Sequence, residues 1–159
     1  MLSFEEIYIS YSPEVYRFSV WLSGNTSDAE DITAETFSRA WMNFAAIRTE
    51  TLKAYLFTIA RNIFLESRRK HRDHDELPET HPDSNPTPDK DVEIRSEIDQ
   101  IWKTLSSLPE IDRSAFVMRV QHDLTYEEIA RVLALSETAA KVKVHRARKF
   151  IFANHPNKE

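Results

Sequence analysis

The chain has 159 residues, 41% of them hydrophobic and 30% charged, with a net charge of −5 and no cysteine. That length holds one or two small domains with helical cores, and the missing thiols exclude disulfides and thiolate metal sites, in keeping with a reducing compartment. No run approaches the roughly 18 apolar residues of a membrane span, and the start MLSFEEIYIS lacks a positive leader, so no membrane insertion and no signal peptide are expected.

The net charge argues against a nucleic-acid binder until it is divided along the chain. Residues 1–72 carry nine Lys or Arg against nine Asp or Glu, residues 73–97 two against nine, and residues 98–159 ten against eight. The surplus acid lies in the middle. Either end is free to present a basic face, and local field rather than net charge governs phosphate binding.

Gly24 is the single glycine and strand-like alternation is missing, so the expected fold is all-α. A first helix is predicted over Phe4–Tyr11. Ser12, with Pro13 at the first helical position, then starts a second that carries Val15, Tyr16, Phe18 and Leu22. SGNTS is a loop, and Ser27 with Glu30 reads as a capping box that opens a helix from about Asp28 to Ala45. On it Phe37, Ala40, Trp41 and Phe44 share one face, which makes Trp41 a large buried group. Asp31, Glu35, Ser38 and Met42 line another face, for which solvent exposure is the plain explanation.

The next helix, Leu52 to about Arg72, is expected to bury Leu52, Leu56, Ile59 and Ile63 and to turn Phe57, Arg61, Phe64 and Arg68 to a different side. Aromatics interleaved with arginines suit a single-stranded nucleic acid, with rings for unpaired bases and cations for phosphates. Packing against a neighbouring helix explains the phenylalanines equally well. The run RRKHR, Arg68–Arg72, adds to the phosphate-binding case.

Residues 73–95 hold four of the seven prolines and much acid, and read as a flexible linker. His71, Asp73, His74, Asp75 and His81 are conceivable metal ligands, but no rigid element fixes them and no metal is expected. A helix from about Ile94 to Leu105 follows. Pro109 then opens another from Glu110 to about His122, with Phe116, Val117 and Val120 as core candidates.

The stretch LTYEEIARVLALSETAAKVKVHRARKF, Leu124–Phe150, is the most informative. Thr125 and Glu128 form a capping box for a helix from Tyr126 to about Leu133, and Ser136 caps a second helix over Glu137–Phe150. On the second helix Ala140, Val144, Ala147 and Ile151 form a seam that Ile129 and Leu133 face. The opposite sector collects Thr138, Val142, His145, Arg146 and Lys149, flanked by Lys141 and Arg148 on one side and Lys143 on the other. A three-residue turn between two such helices is helix-turn-helix geometry, with the second helix set to enter a major groove.

Taken together, these segments resemble the extracytoplasmic-function class of bacterial sigma factors over nearly the whole length. DAEDITAETFSRAW (Asp28–Trp41) is similar to that family's polymerase-binding helix, LKAYLFTIARNIFLESRRK (Leu52–Lys70) to its promoter-melting helix, and LSSLPEIDRSAFVMR (Leu105–Arg119) with the helix-turn-helix to its C-terminal domain. The resemblance implies three units: 1–72, binding core polymerase and the minus-10 element; 73–95, an acidic linker threading toward the polymerase active site; and 96–159, binding the minus-35 element.

It also implies residue roles. Asp31, Glu35, Phe37, Arg39 and Trp41 fall on the segment that docks on the β′ clamp helices, with the β flap as a further contact. Arg61, Asn62, Arg68 and Arg69 match the minus-10 helix, and the loop 46–51, with Arg48 and Thr49, lies where relatives hold a flipped base. Thr138, Lys141, Val142, Lys143, His145, Arg146, Arg148 and Lys149 match the minus-35 reader. The implied partners are core RNA polymerase, promoter DNA and an anti-sigma factor, in a bacterial cytoplasm. Ala34 departs from a usual glutamine, Ala134 and Asp123 from common glycines, and Ala139 and Ala140 from larger or hydroxylated residues.

No nucleophile, base and orienting group can be assembled, so neither an enzyme nor a cofactor is expected. The competing readings are a stand-alone helix-turn-helix regulator and a helical adaptor or sigma antagonist that binds proteins only.

Overall fold

The computed structural model describes residues 2–48, 51–74 and 92–154. Among them there is no strand, and seven α-helices follow one another: α1 Phe4–Ser23, α2 Thr26–Met42, α3 Leu52–His74, α4 Val92–Ser106, α5 Glu110–Val120, α6 Tyr126–Leu133 and α7 Glu137–Asn154. A 3-10 turn, Phe44–Ala46, follows α2. Most of the expected linker lies outside the described residues, as do Asp75 and His81. The described residues hold no cluster of candidate metal ligands.

Helix α2 ends at Met42 rather than Ala45 and α7 runs on to Asn154 rather than Phe150, and two further differences lie at the N-terminal helices. Helix α1 is continuous through Pro13, where a break was expected. A proline removes one main-chain rung and disfavours a helix interior by about 3 kcal/mol. Ile7, Val15, Phe18 and Leu22 lie on one buried face on both sides of it, and burying a large apolar side chain contributes about 1.5–3 kcal/mol each. Packing therefore outweighs the lost rung. Helix α2 is capped by Asn25, whose side-chain oxygen accepts the Asp28 amide at 3.0 Å, so Ser27 sits inside the helix and the expected Ser27–Glu30 box does not form.

The helix-turn-helix follows the expectation closely. Thr125 and Glu128 exchange backbone and side-chain hydrogen bonds at 2.8 and 3.1 Å, and Ser136 Oγ accepts the Ala139 amide at 3.0 Å. Ala140, Val144 and Ala147 are fully buried, with Ile129 and Leu133 also in the core. The turn requires a left-handed residue, and Ala134 supplies it at φ 57°, ψ 48°. Asp123 adopts φ 58° just before α6. These are two of the positions that depart from the usual glycine.

The N-terminal helices α1–α3 and the C-terminal helices α5–α7 share one core, with α1 against α5 and α3 against α6. Phe18 of α1 stacks on Phe57 of α3 at 4.5 Å, and the His122 ring stands edge-on to both, at 6.0 and 4.8 Å. Glu14 Oε1 lies 3.2 Å from His122 Nδ1 and 3.1 Å from Lys53 Nζ, and Lys53 Nζ donates to the His122 carbonyl at 2.8 Å. Arg113, also buried, donates to the Leu22 carbonyl at 3.2 Å. At the end of α1, Gly24 adopts φ +70°, and the Trp102 ring of α4 fills the space that any side chain there would need.

The electrostatics of this joint are lopsided. Burial pushes the His122 imidazole below its ordinary value, more than the neighbouring Glu14 carboxylate raises it. The neutral ring then donates Nδ1–H to Glu14, and Nε2, buried without a hydrogen-bond partner, carries a lone pair rather than a proton. Burial pushes Glu14 up, but hydrogen bonds from Lys53 and His122 outweigh it and hold the carboxyl low.

Because the unfolded histidine binds its proton first, near its ordinary value of about 6.5, His122 contributes stability that is present above that pH and lost as pH falls below it. Glu14 acts in the same direction at lower pH. Urea unfolding at pH 7.5 and 5.5 should show the parent losing stability at the acid end and His122→Phe losing less; equal parent stability at both would contradict the neutral histidine. Ala134→Gly should relieve left-handed strain and raise stability by about 1 kcal/mol, read as a higher urea midpoint at unchanged slope.

Candidate nucleic-acid interface

Helix α2 turns its acidic stripe outward. Asp31, Glu35, Ser38 and Met42 are exposed. Glu35 Oε2 takes a 3.0 Å hydrogen bond from Arg39 Nε, and Arg39 Nη2 reaches Glu66 of α3 at 3.2 Å. Bonds to Glu66 first and Glu35 second push the Arg39 guanidinium above its ordinary value, so it stays charged and braces α2 against α3.

Phe37 and Trp41 divide differently from the expectation. Phe37 is in the core, edge-on to Tyr8 at 5.0 Å and Phe4 at 6.4 Å, so it supports the face without forming it. Trp41, expected to be buried, is 60% exposed; its ring lies against Phe4 at 5.0 Å and stacks on Phe44 at 6.2 Å. Ile9 and Met42 are exposed as well. Exposed apolar side chains and an exposed carboxylate stripe on the same helix are the composition of a protein-docking surface.

On α3 the packing explanation of the aromatics wins. Phe57 and Phe64 are both buried, and Arg68 covers the Phe64 ring at 5.3 Å, so neither ring is open to a base. Ile59 and Ile63, expected in the core, are only half-buried. Asn62, Arg68, Arg69 and Arg48 are exposed, and Thr49 lies outside the described residues.

Arg61 is not open. Its Nε and Nη2 donate to the two carboxylate oxygens of Glu110 at 2.6 and 2.7 Å, with only 13% of its side chain exposed, and Ser114 Oγ donates to the same carboxylate at 2.7 Å. Burial pushes Glu110 up, and the Arg61 and Ser114 contacts more than reverse it, leaving the carboxyl low and the pair ionised. Sequence reading missed Glu110, because a pair 49 residues apart leaves no local signal.

The outer face of α7 is open. Thr138, Lys141, Val142, His145, Arg146, Arg148 and Lys149 are exposed, and an open groove of about 400 Å³ is lined by Tyr126, Lys141, Val142, His145, Arg146 and Arg148. Tyr126, unassigned by the sequence reading, carries Arg119 over its ring at 4.6 Å and Lys141 at 5.7 Å. Lys143 is the exception: it is half-buried and 3.5 Å from Asp112 of α5. Val120, expected in the core of α5, is exposed, while Val117 is buried.

Two family models match the chain: Sigma-70 region 2 over residues 7–74 and Sigma-70 region 4 over residues 98–151. The ECF RNA polymerase sigma factor SigM of Bacillus subtilis is 30% identical over 152 residues, covering 92% of this chain and 91% of the relative. SigE of Mycolicibacterium smegmatis, another ECF sigma factor, is 33% identical over 153 residues. They span 93% of this chain and 60% of SigE, so the chain falls short of that relative's full length. Among solved structures, the Bartonella quintana sigma factor RpoE, crystallised with the anti-sigma factor NepR, superposes with a TM-score of 0.78 at 25% identity, covering 98% of each chain.

Proposed function

The chain belongs to the extracytoplasmic-function RNA polymerase sigma factors, and we propose that it binds core polymerase through α2, reads a minus-35 element with α7 and engages the minus-10 element with α3. The observation that carries this reading is the open cationic face of α7, backed by a buried alanine-valine seam and set by the left-handed turn at Ala134. On this reading the cations of α7 run along phosphates, with Val142, His145 and Arg146 toward base edges.

Each face has a distinct role. On α2, Asp31 and Glu35 supply charge and Trp41 an apolar anchor for the polymerase clamp, with Phe37 holding Trp41's surroundings from within and Arg39 bracing the helix. On α3, Asn62, Arg68 and Arg69 meet the minus-10 element, with Arg48 at the edge of the base-flipping loop. Catalysis belongs to the polymerase, and the chain acts as its specificity subunit in the bacterial cytoplasm. Residues 1–72 and 96–159 serve as the two reading units, joined by 73–95.

The pairing of Arg61 with Glu110 adds a condition. Arg61 reaches DNA only when the C-terminal helices part from α3, so full promoter engagement requires the closed arrangement to open. An anti-sigma factor is the third partner, supported by the RpoE relative crystallised with NepR.

Glu35→Lys should keep the fold, since the exposed Glu35–Arg39 pair contributes only about 0.3–0.5 kcal/mol, and should abolish co-elution with core polymerase on a sizing column. Intact co-elution removes α2 as the docking face, and no co-elution of the parent favours a stand-alone regulator. Lys141→Ala or Arg146→Ala should each reduce the slope of log affinity against log salt for promoter DNA by about one unit per lost phosphate contact; an unchanged slope in both removes α7 from the DNA.

A further inference from the structure

Asp112 is buried to 1% exposure in the first turn of α5, beneath the basic helix. Its Oδ1 lies 3.5 Å from Lys143 Nζ and its Oδ2 3.5 Å from Arg146 Nη2, and neither oxygen has a hydrogen bond. A carboxylate removed from water is costly unless cations compensate it. These two α7 side chains are the ion-pair partners the described residues provide.

The two cations differ in freedom. Lys143 has 24% of its side chain exposed and points inward, whereas Arg146 has 57% exposed and borders the α7 groove. An arginine carries five N–H donors in a planar fork, so contact through one Nη leaves the others for a base edge or phosphate. The lysine ammonium is a compact charge whose three rotatable donors form no fixed fork.

We propose that Asp112 is a positioning residue for promoter reading: it withdraws Lys143 from the DNA and fixes the direction in which the Arg146 guanidinium meets the groove. This rests on the reading of α7 as the DNA-facing helix. A guanidinium held from behind recognises a base edge in one orientation, and discrimination follows from that restraint. Withholding Lys143 removes a phosphate contact that would bind every sequence alike.

The test uses the full chain with two duplexes of equal length, one enriched by this protein from a randomised pool and one scrambled. Asp112→Asn should tighten binding to the scrambled duplex, steepen its salt slope by about one unit as Lys143 is released, and lower the enriched-to-scrambled affinity ratio on the order of tenfold. Lys143→Gln should leave the parent slope unchanged and reduce the slope by about one unit in the Asp112→Asn background.

A folded Asp112→Asn chain in which both affinities move in parallel at constant slope overturns the proposal. So does a loss of about one slope unit from Lys143→Gln in the parent, a result that does not depend on how Asp112→Asn folds. If Lys141→Ala and Arg146→Ala also leave binding unchanged, the DNA-facing assignment of α7 falls with it. If they weaken binding while the Asp112 outcomes fail, only the positioning role falls.

Discussion

The arrangement of the whole molecule depends on one joint, where the His122 ring stands edge-on to the stacked pair Phe18 and Phe57. Those rings come from α1, α3 and the turn after α5, so the contact fixes the C-terminal helices on the N-terminal ones. A buried imidazole is tolerated there because it is neutral and gives its one proton to Glu14, which Lys53 holds in place while also satisfying the His122 carbonyl. Every group in the chain Glu14–Lys53–His122 serves a neighbour on another segment. Such a network specifies one docking geometry more sharply than apolar contact alone, since a displaced half would strand buried polar atoms.

That geometry sorts the functional faces. The acidic and aromatic face of α2 and the basic face of α7 both look outward, ready for partners. Arg61 is instead committed to Glu110, so the α3 surface is partly closed by the chain's own C-terminal half. Breaking a bidentate, mostly buried pair by withdrawing one partner is unfavourable, and a large competing interface is needed to do it. Core polymerase, proposed above to engage both halves, is a partner of the right kind. With α3 in its proposed role, the closed chain keeps Arg61 from the promoter until that contact opens.

Much of the architecture was legible in local patterns. The Thr125–Glu128 box, the Ser136 cap and the seam of Ala140, Val144 and Ala147 are signals within one or two turns of helix, and each appears in the structure. The left-handed residue of the turn was signalled only by the glycine usual there in the family the chain resembles, and Ala134 takes that conformation despite its Cβ. What failed required knowledge of neighbours. Periodicity put Phe57 and Phe64 on the far side of α3 from Leu56, but α3 is packed on more than one side, so both faces are core. Trp41 shares a stripe with Phe37 and Ala40, yet it lies near the end of α2, where the cover thins and the ring is left to solvent. Arg61–Glu110, Asp112 beneath α7 and His122 against Phe18 join residues far apart in sequence, and no local spacing announces them.

The free chain is closed at the α3–α6 contact, and under the proposed function it opens on core polymerase. Because the protein has no cysteine, Ser67→Cys on α3 and Glu127→Cys on α6, both at exposed positions, accept a donor and acceptor dye without competing sites. Energy transfer between them should be high in the free chain and fall sharply when core polymerase is added. Low transfer in the free chain, or high transfer that persists in the isolated polymerase complex, would contradict the account.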